Sequence, residues 1–182
     1  KAFSSATSVL TATASSDVTA AGSYSVNVSQ LAQAQKLRSG TFADADSTIV
    51  GTGTLTLRTG SYDASTNGFT PNASATTSVT IGAGDGTLSG IANAINKSGA
   101  GVSASVVEVN GGYQLQLSAK ETGTANTLKI TAADTYGNAL TANSGLGQIA
   151  FDPSANVFGG KNLTQTQAAQ NAKLTVDGTA LS

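Results

Sequence analysis

Residues 86–119 read GTLSGIANAINKSGAGVSASVVEVNGGYQLQLSA, and this stretch decides the fold. Leu88, Ile91 and Ile95 fall at helical spacing and place an apolar stripe on one face. Asp85 or Thr87 can cap the first turn, and Gly99 is placed to end the last. The β-branched run from Val102 to Val109 predicts a strand. Its alternation changes phase at Val106-Val107, which predicts a bulge or a strand covered on both faces. Asn110-Gly111-Gly112 forms a tight turn, after which Tyr113, Leu115 and Leu117 alternate with Gln114, Gln116 and Ser118. A helix followed by a hairpin is the result.

Working outward, Val79 and Ile81 predict a short strand, and so do Leu55 and Leu57 between Gly53 and Gly60. Ser61 to Ala75 reads as a long hairpin loop, with Asn67-Gly68 and Pro71-Asn72 as turn formers. Further upstream, Tyr24, Val26 and Val28 alternate with Ser25, Asn27 and Ser29, a half-buried strand. From Gln30 to Arg38 two periods compete. Leu31, Ala34 and Leu37 suit a helix, whereas Leu31, Gln33, Gln35 and Leu37 suit a strand after a bulge, the reading preferred. Residues 1–21 are mostly Ser, Thr and Ala, with Val9, Leu10 and Val18 the larger aliphatics, and read as an extended entry segment. Downstream, Leu128 and Ile130 predict a strand, and 131–160 reads as loop. Gln165 to Lys173 is a short helix or extended connector, and Leu174 and Val176 form a last strand stopped by Asp177-Gly178.

The predicted fold is mainly β with one short α-helix, a β-rich α+β chain of two small antiparallel sandwich-like domains. Residues 1–39 plus 162–182 are expected to form a partial β-domain that continues beyond this sequence. Residues 40–161 form a second domain inserted into it, carrying the helix and hairpin, with Ser39-Gly40 and Gly159-Gly160 as linkers.

Composition restricts the function. The 182 residues include no His, Cys, Met or Trp, only 10% are charged, and the net charge is −1. About a quarter are Ser or Thr, well above ordinary usage. The nine Lys and Arg are dispersed, which argues against nucleic acid and anionic lipid as partners. Nothing approaches the ~18 apolar residues of a membrane span, and no cleaved signal peptide is visible. A Cys-free chain suits a protein exported unfolded, with no thiols to cross-link outside.

Without His or Cys, nucleophilic triads and thiol chemistry are excluded. Glu108 and Glu121, the only glutamates, show no paired spacing, and Glu108 alternates outward to solvent. Gly82-Ala83-Gly84-Asp85-Gly86 resembles a phosphate loop but lacks the dinucleotide spacing and the Walker Lys, so a sharp strand-to-helix turn is the better reading. Asp44-Ala45-Asp46 offers two oxygens to Ca²⁺ without the rest of a calcium loop, and reads as a solvated turn. Phe42, Tyr62, Phe69, Phe151 and Phe158 sit in loop-like sequence, where they either contact glycans or plug a thin core, the latter preferred. No catalytic, cofactor-binding or metal-binding residue is assigned, and the chain is not expected to be an enzyme.

Three stretches together resemble the flagellar filament cap proteins, also called hook-associated protein 2. The first, Gly22 to Leu37, contains QLAQAQ at Gln30–Gln35; it is similar to the strand closing that family's N-terminal region. The second, Gly86 to Gly123, with Ile95-Asn96 in its helix, resembles the flagellin hook IN motif. The third, Ala169 to Gly178, is similar to the strand beginning the family's next segment. The resemblance runs from about Gly22 to Gly178. The second motif occurs across flagellins and hook-associated proteins, so the first and third favour the cap. The family's terminal helices, which hold its oligomer on the filament, are not among these residues. The resemblance implies a structural part of a ring-like, self-associating cap at the flagellar tip, outside the cell. Its implied partner is flagellin, whose polymerisation the cap promotes, and in some bacteria host-surface glycans through adhesion. Alternatives are another hook-associated protein or flagellin outer domain, or a secreted adhesin or glycan-binding module.

Overall fold

The computed structural model describes residues 1–8, 10–15, 22–156 and 159–181. Val9, Val18 and Phe158, named above, lie outside the described residues. Three antiparallel sheets and one α-helix make up the described chain, which agrees with the predicted class.

The helix, α1 (Leu88–Lys97), forms where its stripe predicts: Leu88, Ile91, Ala92 and Ile95 are buried. Thr87 is the cap, its hydroxyl accepting the Gly90 N–H at 3.1 Å. Gly99, at φ 71°, follows the last turn. α1 packs on a four-stranded sheet of order β5-β6-β2-β8, where β2 is Lys36–Arg38, β5 Val102–Val109, β6 Gly112–Ala119 and β8 Thr164–Gln167. Across β5 and β6 the register is unbroken from Val102–Ala119 to Val109–Gly112. The bulge expected at Val106-Val107 is therefore absent. Both residues are half-buried, so the phase change marks a strand end partly covered on each face.

The second sheet has the order β4-β3-β7, with β3 Gly53–Asp63, β4 Gly68–Ile81 and β7 Thr127–Ala133. Its inner face supplies Leu55, Leu57, Val79, Ile81, Leu128 and Ile130, all buried. The hairpin loop expected over Ser61–Ala75 is mostly strand, paired down to Asp63–Gly68. Asn67, at φ 51°, serves the turn as expected, but Pro71 sits in β4 opposite Gly60 beside a register shift. β4 is an edge strand of its sheet, where a missing N–H is tolerated. Leu37, Leu115 and Leu117 of one sheet, α1, and the apolar face of the other share one core, closed by Leu146, Ile149 and Phe151.

The third sheet, of order β1-β9-β10, stands apart from this body: β1 is Val26–Gln30, β9 Lys173–Val176 and β10 Thr179–Leu181. Leu174 and Val176 do form a strand, but not the last, because Asp177 (φ 48°) and Gly178 (φ 83°) turn the chain into β10. Positive φ at both central residues is the type I′ hairpin turn. Gln165 to Lys173 is extended, not helical.

The expected linkers do not coincide with breaks in pairing. Ser39 is buried; its N–H donates to the Leu115 carbonyl at 2.9 Å, and its hydroxyl accepts the Leu115 N–H, also at 2.9 Å. The Gly160 carbonyl accepts the Asp152 N–H at 2.9 Å. β2 and β8, placed by the sequence with the first module, are bound to β6 through β2. β2 and β8 thus share one sheet with the β5–β6 hairpin.

Candidate functional site

The Ile95-Asn96 pair at the end of α1 works as a unit. Ile95 is fully buried in the core. Asn96 turns the other way: its Nδ2 donates to the Ala104 carbonyl at 2.8 Å and its Oδ1 accepts the Ala104 N–H at 2.9 Å. One carboxamide thus completes both backbone groups of one β5 residue as a neighbouring strand would, and fixes the helix against the hairpin.

Gln35 is the corresponding tie between sheets. It is buried, its Oε1 accepts the Leu128 N–H of β7 at 2.6 Å, and its Nε2 donates to Gln165 Oε1 of β8. The sequence offers no signal for this role, since a buried glutamine on the face of Leu37 breaks the apolar pattern.

The small sheet carries the third feature. Val26 stands opposite Val176, and Val28 and Leu181 both stand opposite Leu174, so these five apolar side chains share one face. Asn27, Thr175 and Ala180 occupy the other. No residue of the three strands is buried, and Val26 and Leu181 are among the exposed large hydrophobic residues, with neighbouring Tyr24 and Leu31.

The remaining candidates do not converge. Glu108 and Glu121 are both exposed. The Asp44 carboxylate accepts the N–H groups of Asp46 at 2.7 Å and Ser47 at 2.6 Å, a local turn. Those bonds, from Ser47 first, hold its pKa below the ordinary value. The Gly82–Gly86 segment makes the strand-to-helix turn, the Gly86 carbonyl accepting the Val50 N–H at 2.8 Å. Phe42 and Phe151 are buried and Tyr62 and Phe69 half-buried, so these four plug the core and its margin. The groove bordered by Tyr62, Phe151, Lys161, Leu163 and Gln165 has no carboxylate in its described lining.

Residues 48–121 match the family model for the flagellin hook IN motif, a span that takes in β3, β4, α1 and the β5–β6 hairpin. Flagellar hook-associated protein 2 of Escherichia coli (strain K12) is 35% identical over 98% of this chain and 35% of its own length. The crystal structure of the D2–D3 domains of the Escherichia coli flagellar cap protein FliD is 30% identical. It covers 93% of this chain and 77% of its own, with a TM-score of 0.70. This chain belongs to the FliD family. The crystal structure of FliD from Pseudomonas aeruginosa PAO1 covers 92% of this chain and 69% of its own, at 30% identity and a TM-score of 0.65. The chain spans about a third of the length of the full FliD relatives it matches. Both the FliD resemblance and the β-rich class read from the sequence are thus shown.

Proposed function

We propose that this chain is the outward β-domain portion of a flagellar filament cap protein, acting structurally at the distal end of the filament, outside the cell. There the full-length protein self-associates into a ring-like cap and promotes polymerisation of exported flagellin. The observation that supports this reading is the likeness to FliD D2–D3 structures over nearly the whole chain. The contribution of this portion is steric: a rigid IN-motif body held on a smaller sheet. Cells lacking their own cap protein, given the parent protein with or without these 182 residues, test it. Intact parent should restore filaments, and the deleted form should release unpolymerised flagellin into the medium. Normal filaments from the deleted form would overturn the reading.

A two-domain division is part of the proposal, with boundaries moved to where pairing breaks. The β1-β9-β10 sheet belongs to one domain and residues 32–170 form the other, inserted between β1 and β9. Support comes from the open apolar face of the small sheet. An antiparallel sheet with one apolar and one polar face is half of a sandwich, and parts of the parent protein outside these residues would supply the other half.

A further inference from the structure

Only two stretches, about residues 31–35 and 168–172, join the small sheet to the body. Apolar packing on them is slight: Leu31 and Ala168 are exposed, Ala32 and Ala169 are half-buried, and Ala34 reaches the margin of the core. Backbone pairing between them is a single bridge, Gln33 N–H to the Gln170 carbonyl at 2.8 Å and Gln170 N–H to the Gln33 carbonyl at 3.0 Å. Side-chain amides supply the rest. Gln30 Nε2 donates to the Asn171 carbonyl at 2.8 Å. Gln170 Nε2 donates to the Leu31 carbonyl at 3.2 Å. Gln167 Nε2 donates to Gln33 Oε1, and Gln35 Nε2 to Gln165 Oε1. Asn171 Oδ1 then accepts the Thr124 N–H at 2.8 Å, anchoring the second stretch to the body.

Two glutamines of the QLAQAQ segment, Gln30 and Gln33, therefore bond across the neck, to Asn171 and Gln167, and Gln35 continues the row inside the body to Gln165. From this geometry we infer that the segment is an amide ladder whose task is to fix the angle between the small sheet and the body. Its glutamines are positioning residues. Amides suit this place because each side chain carries both a donor and an acceptor and can tie two exposed strands where burial is too shallow for apolar packing. Such bonds are individually weak, so the angle depends on the set acting together. The inference does not depend on the cap reading, since it concerns only this chain's own geometry.

The chain has no cysteine, so a label can be directed to chosen positions. Glu108→Cys on the body and Thr179→Cys on the small sheet, both exposed, take spin labels for a distance distribution by pulsed electron resonance. The ladder predicts one narrow population. Combining Gln33→Ala, Gln167→Ala and Gln170→Ala should widen the distribution at least twofold, while amide exchange in α1 stays as it was. Gln167→Ala alone should give a smaller widening. A distribution unchanged by the three substitutions, or already broad without them, overturns the inference. So does parallel loss of protection in α1, which would make the glutamines general folding residues.

Discussion

Asn96 places both ends of its carboxamide on one residue, Ala104, bonding the two peptide units that flank it. Asn96→Ala removes both bonds and leaves two β5 groups to partly shielded water. At roughly 0.5–1.5 kcal/mol per neutral bond the expected cost is about 1–3 kcal/mol. Asn93→Ala, on the exposed side of α1, should change stability by less than about 0.5 kcal/mol. Urea midpoints for the two variants settle it, and equal midpoints would remove Asn96 from its assigned role. Gly90 is a second position where one atom decides. Gly to Ala inside a helix ordinarily stabilises by about 1 kcal/mol. Here the added Cβ would lie 2.6 Å from the Asp85 carbonyl oxygen, against backbone that forms the turn into the helix. Gly90→Ala should therefore destabilise, by about 1–3 kcal/mol, and a gain in melting temperature would show that the turn yields freely.

At the scale of single elements, α1 and the turn of the β3–β4 hairpin differ in what they give the core. Ile95→Ala empties a fully buried site and should cost about 2–5 kcal/mol. Thr66→Ala in the hairpin turn loses one exposed bond to Asp63 and should be nearly neutral in the same denaturation experiment. α1 was legible in the sequence because Leu88, Ile91 and Ile95 carry the helical period and Thr87 its start. The end of the β3–β4 hairpin was not. Thr and Ser populate its strands, and hydroxyl residues read as loop even though β-branched Thr suits a pleated edge. β10 escaped because three residues show no period, although Asp177-Gly178 carried the signal for a turn into another strand. β2 and β8 are as short, and the pairing of β2 with β6 and of β8 with β2 is long-range, so no local pattern could place them beside the hairpin. The Gln35 tie was illegible for a related reason, since it depends on a backbone group 93 positions away, and the Asn96 tie, though only 8 positions long, leaves no mark on the apolar pattern. What the sequence did show of them was the motif around each.

For the whole molecule, stability should depend little on pH until the carboxylates titrate. Burial raises the Asp152 carboxyl, but hydrogen bonding from Lys129, at 2.7 Å, and from Ser154, with the Lys129 charge, outweighs it and holds the pKa below its usual value. Hydrogen bonds within their turns lower Asp63, chiefly from Ser65, and Asp134, chiefly from Asn138. A carboxylate depressed in the folded state adds stability that is present above its unfolded pKa, about 3.9, and lost as pH falls through the folded value. With no His or Cys to titrate, melting temperature should be level between about pH 5 and 8 and fall below about pH 4. A step inside the level range would contradict this. Amide exchange should divide the molecule, with β1, β9 and β10, which bury no side chain, opening before β3, β6 and β7. One cooperative exchange unit throughout would refute the two-domain division. The pairing of β1 with β9 also sets an order of events. The Ser25 N–H meets the Asp177 carboxylate across 152 positions of chain, and closing so long a loop is slow until something shortens it. Folding of the body provides that shortening, because it brings Gln33 and Gln170 side by side and leaves only a few residues on each branch to close. The small sheet is thus the last part to form. A chain that emerges from its amino end must carry β1 unpaired until the whole body and β9 have followed.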